Sequence, residues 1–307
     1  VKGLDLAELY YRGPGAAMIR ERFAGEETQI AAGLAGPGSE CFGFDDEYSR
    51  DHDWGPAFCL WLTDEDHARI GCDLQRAYQG LPSVFQDFGP REASLGEEWR
   101  VGVSRISEFY RRFTGLSRPP GTLEEWMRIP EENLATCTNG RVFADPLGKF
   151  TAWRDALLAF YPEDVRLKKI SSLCLTIAQT GQYNYLRSVR RADSFAATYC
   201  VAKFVADAIR LVFLLNRRYA PFYKWLHRAV GDLTVLGSAV HERVGALFRV
   251  AVVEEKADIM EEISVLLADE LRRQGISDSR SDFLLDHAAR VQSNISEARL
   301  RMLLSVE

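Results

Sequence analysis

Histidine and cysteine are sparse in this chain of 307 residues, and neither is clustered. The five histidines include no H-E-x-x-H pair, which excludes the helical zinc motif of the metalloproteases. The six cysteines (Cys41, Cys59, Cys72, Cys137, Cys174 and Cys200) include no C-x-x-C spacing. Several lie inside apolar runs, so they read as reduced core thiols and not as a zinc site or a disulfide frame. No apolar run reaches the ~18 residues that span a bilayer, and the first residues, Val1 to Leu6, lack the apolar core of a secretion signal. A cytoplasmic protein with no membrane partner is therefore expected. Basic excess is lacking too. Lys and Arg number 38 against 44 Asp and Glu, a net charge of −6, which argues against a broad nucleic-acid footprint while leaving room for a local basic groove. There is no internal repeat and no low-complexity tract.

What remains is an ordinary globular composition, 47% hydrophobic and 27% charged, long enough for one large or two ordinary domains. One stretch departs from it. Between residues 38 and 53 lie six carboxylates: Glu40, Asp45, Asp46, Glu47, Asp51 and Asp53. They are followed at once by the apolar run Trp54 to Leu62, which has strand character. Carboxylates packed beside a buried strand repel one another unless they are exposed, protonated or sharing a cation. On a strand, Asp51 and Asp53 would share a face. Two such hard oxygen ligands suit Mg²⁺ (or Mn²⁺), which takes one or two protein carboxylates together with substrate phosphates. Upstream, the turn Gly38-Ser39 offers backbone N–H groups and a hydroxyl to those phosphates.

Gly-Ser, an intervening loop and then Asp-x-Asp beside a strand resembles the polymerase-β-type nucleotidyltransferase superfamily. The run GSECFGFDDEYSRDHDWGPAFCLWL resembles, more narrowly, a branch of that superfamily known as a domain of unknown function. The later strings NGRVFADPLGKF, YPEDVRLKK, GQYNYLRSVRR and LLNRRYAPFYKW resemble the same branch. More distantly, the chain resembles the aminoglycoside nucleotidyltransferases. The resemblance implies Asp51 and Asp53 as metal ligands, Gly38 and Ser39 as phosphate ligands, and a third carboxylate from a neighbouring strand. Glu98, at the entrance to an alternating run Trp99 to Ile106, is the first candidate, and Asp145 is the second. Asp145 has a plain alternative as the cap of the following helix.

After Tyr161-Pro162 the periodicity is almost entirely helical. Two clusters there interleave aromatics with cations: Gln182 to Arg191, with Arg187, and Asn216 to Trp225, with Tyr223 and Lys224. Such groups can stack on a base and neutralise a triphosphate. Arg50 is the one cation near the acidic stretch. The expected architecture is α/β (α+β): a small mixed-sheet nucleotidyltransferase core over residues 1–161, then an all-α helical bundle over 162–307. The expected activity is Mg-dependent transfer of a nucleoside monophosphate from a nucleoside triphosphate, ATP in the first instance, to a hydroxyl of a small molecule or protein. The rival expectation is a nucleotide-binding regulator without turnover.

Overall fold

A computed structural model of the chain describes residues 1–303. It divides into two compact units. The first comprises residues 1–121 and 128–159, and the second residues 122–127 and 160 onward.

The first unit is organised on four short strands: β1 (Ala31–Leu34), β2 (Cys59–Leu62), β3 (Gly102–Arg105) and β4 (Arg141–Ala144). Their order across the sheet is β3-β2-β1-β4. β1 runs antiparallel to both β2 and β4, whereas β2 and β3 are parallel. The sheet is thus mixed, as expected. Both faces of β2 are buried, which explains why Cys59-Leu60-Trp61-Leu62 reads as an unbroken apolar run and not as an alternation. Leu60 and Leu62 join Phe58, Tyr10, Ile19 and Leu74 on one side. These come in part from α1 (Gly3–Tyr10), α2 (Ala16–Arg22) and α3 (Asp64–Gln79). On the other side Trp61 stacks on Phe150 at 3.8 Å and meets Phe109 edge-on. Phe109 belongs to α4 (Ile106–Thr114) and Phe150 to α7 (Lys149–Leu158), with α5 (Leu123–Arg128) and α6 (Glu131–Cys137) between them in the chain.

Gly13-Pro14-Gly15 does not break the first helix. A single wide π turn over Tyr11–Gly15 carries α1 into α2 and absorbs the missing proline N–H. Thr63 does cap α3, its hydroxyl accepting from the Asp66 N–H at 3.1 Å. β3 starts only at Gly102, and α4 begins immediately after it at Ile106. The sheet edges are modified by side chains. On β3 the outward N–H of Val103 donates to the Gln75 side chain at 2.8 Å. On β4 Arg141 pairs with Asp5 and Glu8.

In the second unit every regular element among the described residues is helical. α8 (Glu163–Ile177) is followed by α9 (Tyr185–Arg190), α10 (Ser194–Leu215), α11 (Tyr223–Val230), α12 (Gly237–Arg249), α13 (Val253–Arg273), α14 (Leu284–Ser293) and α15 (Ala298–Met302). α10 is the apolar centre, with Phe204, Ala208, Leu211, Val212 and Leu214 fully buried. Gly181 sits in a π segment (Ala178–Asn184) where a Cβ would stand 2.3 Å from the Phe204 ring. It is there because α10 packs too closely for any larger residue. No described helix is long and apolar enough to cross a membrane.

Candidate functional site

The antiparallel pairing of β1 with β2 and β4, and the parallel pairing of β2 with β3, gather four chain segments at one end of the sheet. The C-terminal end of β1 (Leu34 opposite Arg141) lies beside the start of β4, and Cys59 at the start of β2 lies beside Gly102 at the start of β3. Gly38 and Ser39 leave β1 at this end. Asp51 and Asp53 precede β2 here, and Glu98 precedes β3. Asp145 follows β4 and therefore lies at the opposite end.

The turn at Gly38 is tied down from both sides. Asn139 accepts from the Gly36 N–H at 2.9 Å and donates to the Gly36 carbonyl at 2.7 Å. Gly140 donates to the Cys41 carbonyl at 2.9 Å. A Cβ at Gly38 would come within 2.4 Å of both Glu40 carboxylate oxygens, so any larger residue would displace that carboxylate. The Glu40 carboxylate is buried and pairs with Arg91 at 3.0 Å. Ser39 opens a short 3₁₀ turn, and its carbonyl accepts from Phe42 and Phe44.

The acidic stretch resolves into separate anchors and not one shared cation site. Asp45 is buried and accepts from the Gly3 N–H at 2.7 Å and the Trp54 indole N–H at 3.2 Å. Lys2 lies 3.5 Å away. Burial raises the Asp45 pKa, but these donors and the lysine charge outweigh it and leave the carboxyl below its usual range. Asp53 is likewise buried. Its oxygens accept from the Ser94 N–H at 3.0 Å, the Ser94 hydroxyl at 2.6 Å and Arg100 at 3.2 Å. Burial again opposes ionisation, and the Ser94 bonds with the Arg100 and Arg91 charges again win, so its pKa is lowered.

Asp51 and Asp53 are not on a strand. β2 begins at Cys59, and the chain through Asp51-His52-Asp53 is a bend with Asp53 at φ +53°. The alternation that would point the two side chains together therefore does not apply. Asp51 is exposed and bonds the His52 N–H, whereas Asp53 is turned inward. Among the described residues no group of three or more His, Cys, Asp or Glu is arranged to hold a metal ion. With Asp53 fully engaged by Ser94 and Arg100, the pair does not fit a preformed Mg²⁺ site.

The remaining expected residues are placed as follows. Glu98 lies in a 3₁₀ turn before β3 and not in the strand; it is exposed, and its carboxylate accepts from the Gly96 N–H at 3.4 Å. It borders a pocket of about 290 Å³ with Trp99, Ser104, Glu108 and Arg112. Asp145 accepts from the Thr151 N–H at 2.7 Å, which is the helix-capping alternative, and it lies away from Gly38. Arg50 is exposed and lies over the Trp54 ring at 4.7 Å. In the second unit Arg187 lies over Tyr183 at 4.4 Å and Lys224 over Trp225 at 4.4 Å; Tyr223, largely exposed, packs against Phe222. Sequence reasoning missed Arg91, Ser94 and Arg100. The signal for them was the surplus of acid in residues 40–53, which required cations and donors from another segment.

These features define a mixed-sheet unit with a glycine turn and an acid-rich loop at one sheet end, joined in sequence to an all-helical unit. Residues 126–226 match the family model described as a domain of unknown function, DUF4037. The match takes in the strings NGRVFADPLGKF, YPEDVRLKK, GQYNYLRSVRR and LLNRRYAPFYKW, in agreement with the branch resemblance read from them, while the Gly38–Asp53 stretch lies outside it. The crystal structure of a nucleotidyltransferase-like protein from Exiguobacterium sibiricum 255-15 aligns with a TM-score of 0.36 and 12% identity, over 87% of this chain and 77% of that one. No curated protein sequence matches the chain.

Proposed function

We propose that the first unit is a nucleotidyltransferase core that binds a nucleoside triphosphate at the end of the sheet bearing Gly38 and Ser39. The observation that carries the reading is topological: the Gly38-Ser39 turn and the Asp51–Asp53 bend, both in the β1–β2 connection, and Glu98, in the connection before β3, lie at one end of a mixed four-stranded sheet. In this reading the turn holds the phosphates through backbone N–H groups and the Ser39 hydroxyl. Mg²⁺ enters with the triphosphate as part of the substrate. Transfer forms a bond between the α-phosphorus and an acceptor hydroxyl oxygen and releases pyrophosphate. Of the acids expected at the site, Asp51 and Glu98 are exposed at this end and free of ion pairs to Arg or Lys, which leaves them able to meet substrate. Asp53 acts from within by fixing the bend.

A second reading is favoured by one observation. The inward, fully bonded Asp53 leaves no preformed pair of metal-binding carboxylates, which suits a nucleotide-binding regulator without turnover. One experiment separates the two. The protein is incubated with each of the four labelled nucleoside triphosphates and Mg²⁺ or Mn²⁺, with candidate hydroxyl acceptors, and pyrophosphate is followed. Release that is lost in Asp51→Asn supports transfer. Saturable nucleotide binding without release supports the regulator, and absence of both refutes the nucleotide site.

A further inference from the structure

Among the described residues at this end of the sheet, Arg154 is a partly buried arginine with no salt bridge, the exposed carboxylate of its chain neighbour Asp155 acting on it only at longer range. Its guanidinium donates to the Asn139 carbonyl at 2.6 Å and to the Gly140 carbonyl at 3.4 Å, and to nothing charged. The other arginines here are accounted for. Arg91 pairs with Glu40, Arg100 with Asp53 and Glu97, and Arg141 with Asp5 and Glu8. Arg50 has no salt bridge either, but it is exposed and solvated.

Topology explains how Arg154 comes to be here. α7 starts beside Asp145 at the far end of the sheet and runs back along it. Five residues of helix cover about 7.5 Å, enough to bring Arg154 alongside the start of β4. The two carbonyls it holds belong to the residues that clamp the glycine turn: Asn139 bonds Gly36 on both backbone atoms, and Gly140 bonds Cys41.

A guanidinium withdrawn from water without a counter-ion is costly, and an arginine cannot relieve the cost by losing its proton. Burial pushes its pKa down, and the Asp155 carboxylate offsets this only in part. Neutral carbonyls satisfy its hydrogen bonds but not its charge. A planar fork with spare donors suits a phosphate oxygen.

We propose that Arg154 supplies the positive charge for a phosphate group bound at the Gly36–Cys41 turn, because it is a partly buried guanidinium without a salt bridge, tied to that turn through Asn139 and Gly140. The inference rests on the nucleotide reading above, which it deepens by naming the cation that the triphosphate meets.

The test uses the full chain with inorganic tripolyphosphate and, separately, ATP, titrated calorimetrically at low ionic strength. Arg154→Gln removes the charge but keeps a donor for the carbonyls, and Arg154→Lys keeps the charge. Melting temperatures without ligand control for folding. The expected result is at least a tenfold loss of tripolyphosphate affinity in Arg154→Gln, with Arg154→Lys within about threefold of wild type and both variants melting alike. Equal loss in Arg154→Gln and Arg154→Lys would make Arg154 a backbone staple and overturn the proposal. So would unchanged affinity in Arg154→Gln while wild type binds ATP, a result that leaves the nucleotide reading standing. Wild type that binds neither ligand overturns both. Arg154-dependent binding of tripolyphosphate without pyrophosphate release from any triphosphate supports this inference and refutes transfer.

Discussion

Replacing Asp53 with Asn isolates the structural role assigned to this carboxylate. The substitution is nearly isosteric, and asparagine tolerates the left-handed backbone at φ +53° at least as well as aspartate. If the amide oxygen takes the place of Oδ1, the bond from the Ser94 N–H survives. The amide nitrogen then replaces Oδ2 and faces two donors, the Ser94 hydroxyl and Arg100. The hydroxyl can turn and accept; the guanidinium cannot. One charge-assisted hydrogen bond is therefore lost, and Arg100 keeps only Glu97. A hydrogen bond to a charged group contributes about 1.5–3 kcal/mol, so a loss of about 2 kcal/mol is expected at pH 7. For a unit of this size that is about 4–8 °C in the first melting transition. The pH dependence follows from the lowered pKa. A carboxylate with a depressed folded-state pKa contributes stability that is fully present above its unfolded value, about 3.9, and is lost as pH falls through the lower folded value. The gap between wild type and Asp53→Asn should thus be constant from pH 7 to about 5 and close below about pH 4. Urea titrations at several pH values, followed by tryptophan fluorescence, measure it. A gap that persists undiminished at pH 3, or no gap at pH 7, would refute the role given to Arg100 and Ser94.

Two further outcomes are expected. Gly140→Ala should destabilise the first unit by more than 2 kcal/mol, since Gly140 sits at φ +65° and a Cβ there would lie 1.9 Å from the Leu34 carbonyl oxygen; urea midpoints no different from wild type would contradict this. Of the six thiols only Cys72 is exposed, and burial pushes Cys59, Cys137 and Cys174 up to about 12, so a thiol reagent at pH 8 should titrate one group promptly in native protein and six after denaturation. Two or more fast-reacting thiols in the native state would show that the buried ones are reachable.

The strands were legible where burial wrote them plainly. Cys59 to Leu62 is apolar on both faces, and only a strand covered on both sides has use for Trp61 next to Leu60 and Leu62. The helical character after Pro162 was equally open, because apolar spacing persists through α10 and α13. The bend at Asp51–Asp53 was not legible. A strand reading was natural ahead of so apolar a run, yet Gly55 (φ +139°) and Pro56 intervene and β2 starts only at Cys59. Nothing in local spacing shows that Asp53 meets Ser94 and Arg100, because those contacts span 41 and 47 positions. Arg154 was hidden for a similar reason. Along the chain it is one polar residue of an amphipathic helix, and its charge becomes conspicuous only when the fold half-buries it without a salt bridge.

The sheet edges bear on how this chain behaves in company. A four-stranded sheet has two open sides, each a template on which a strand from another molecule can pair. Here the outward N–H at the middle of β3 already has its acceptor in Gln75, and β3 is only four residues long. The other side begins with a charged Arg141 held by two acids of α1. An incoming strand would have to break the Gln75 bond on one side, or bury a salt-bridged guanidinium on the other, in exchange for a few ladder hydrogen bonds. Removing these guards, as in a Gln75→Ala, Arg141→Val double variant, should turn a self-limiting sheet into one that concentrates into aggregates on storage, with light scattering as the readout.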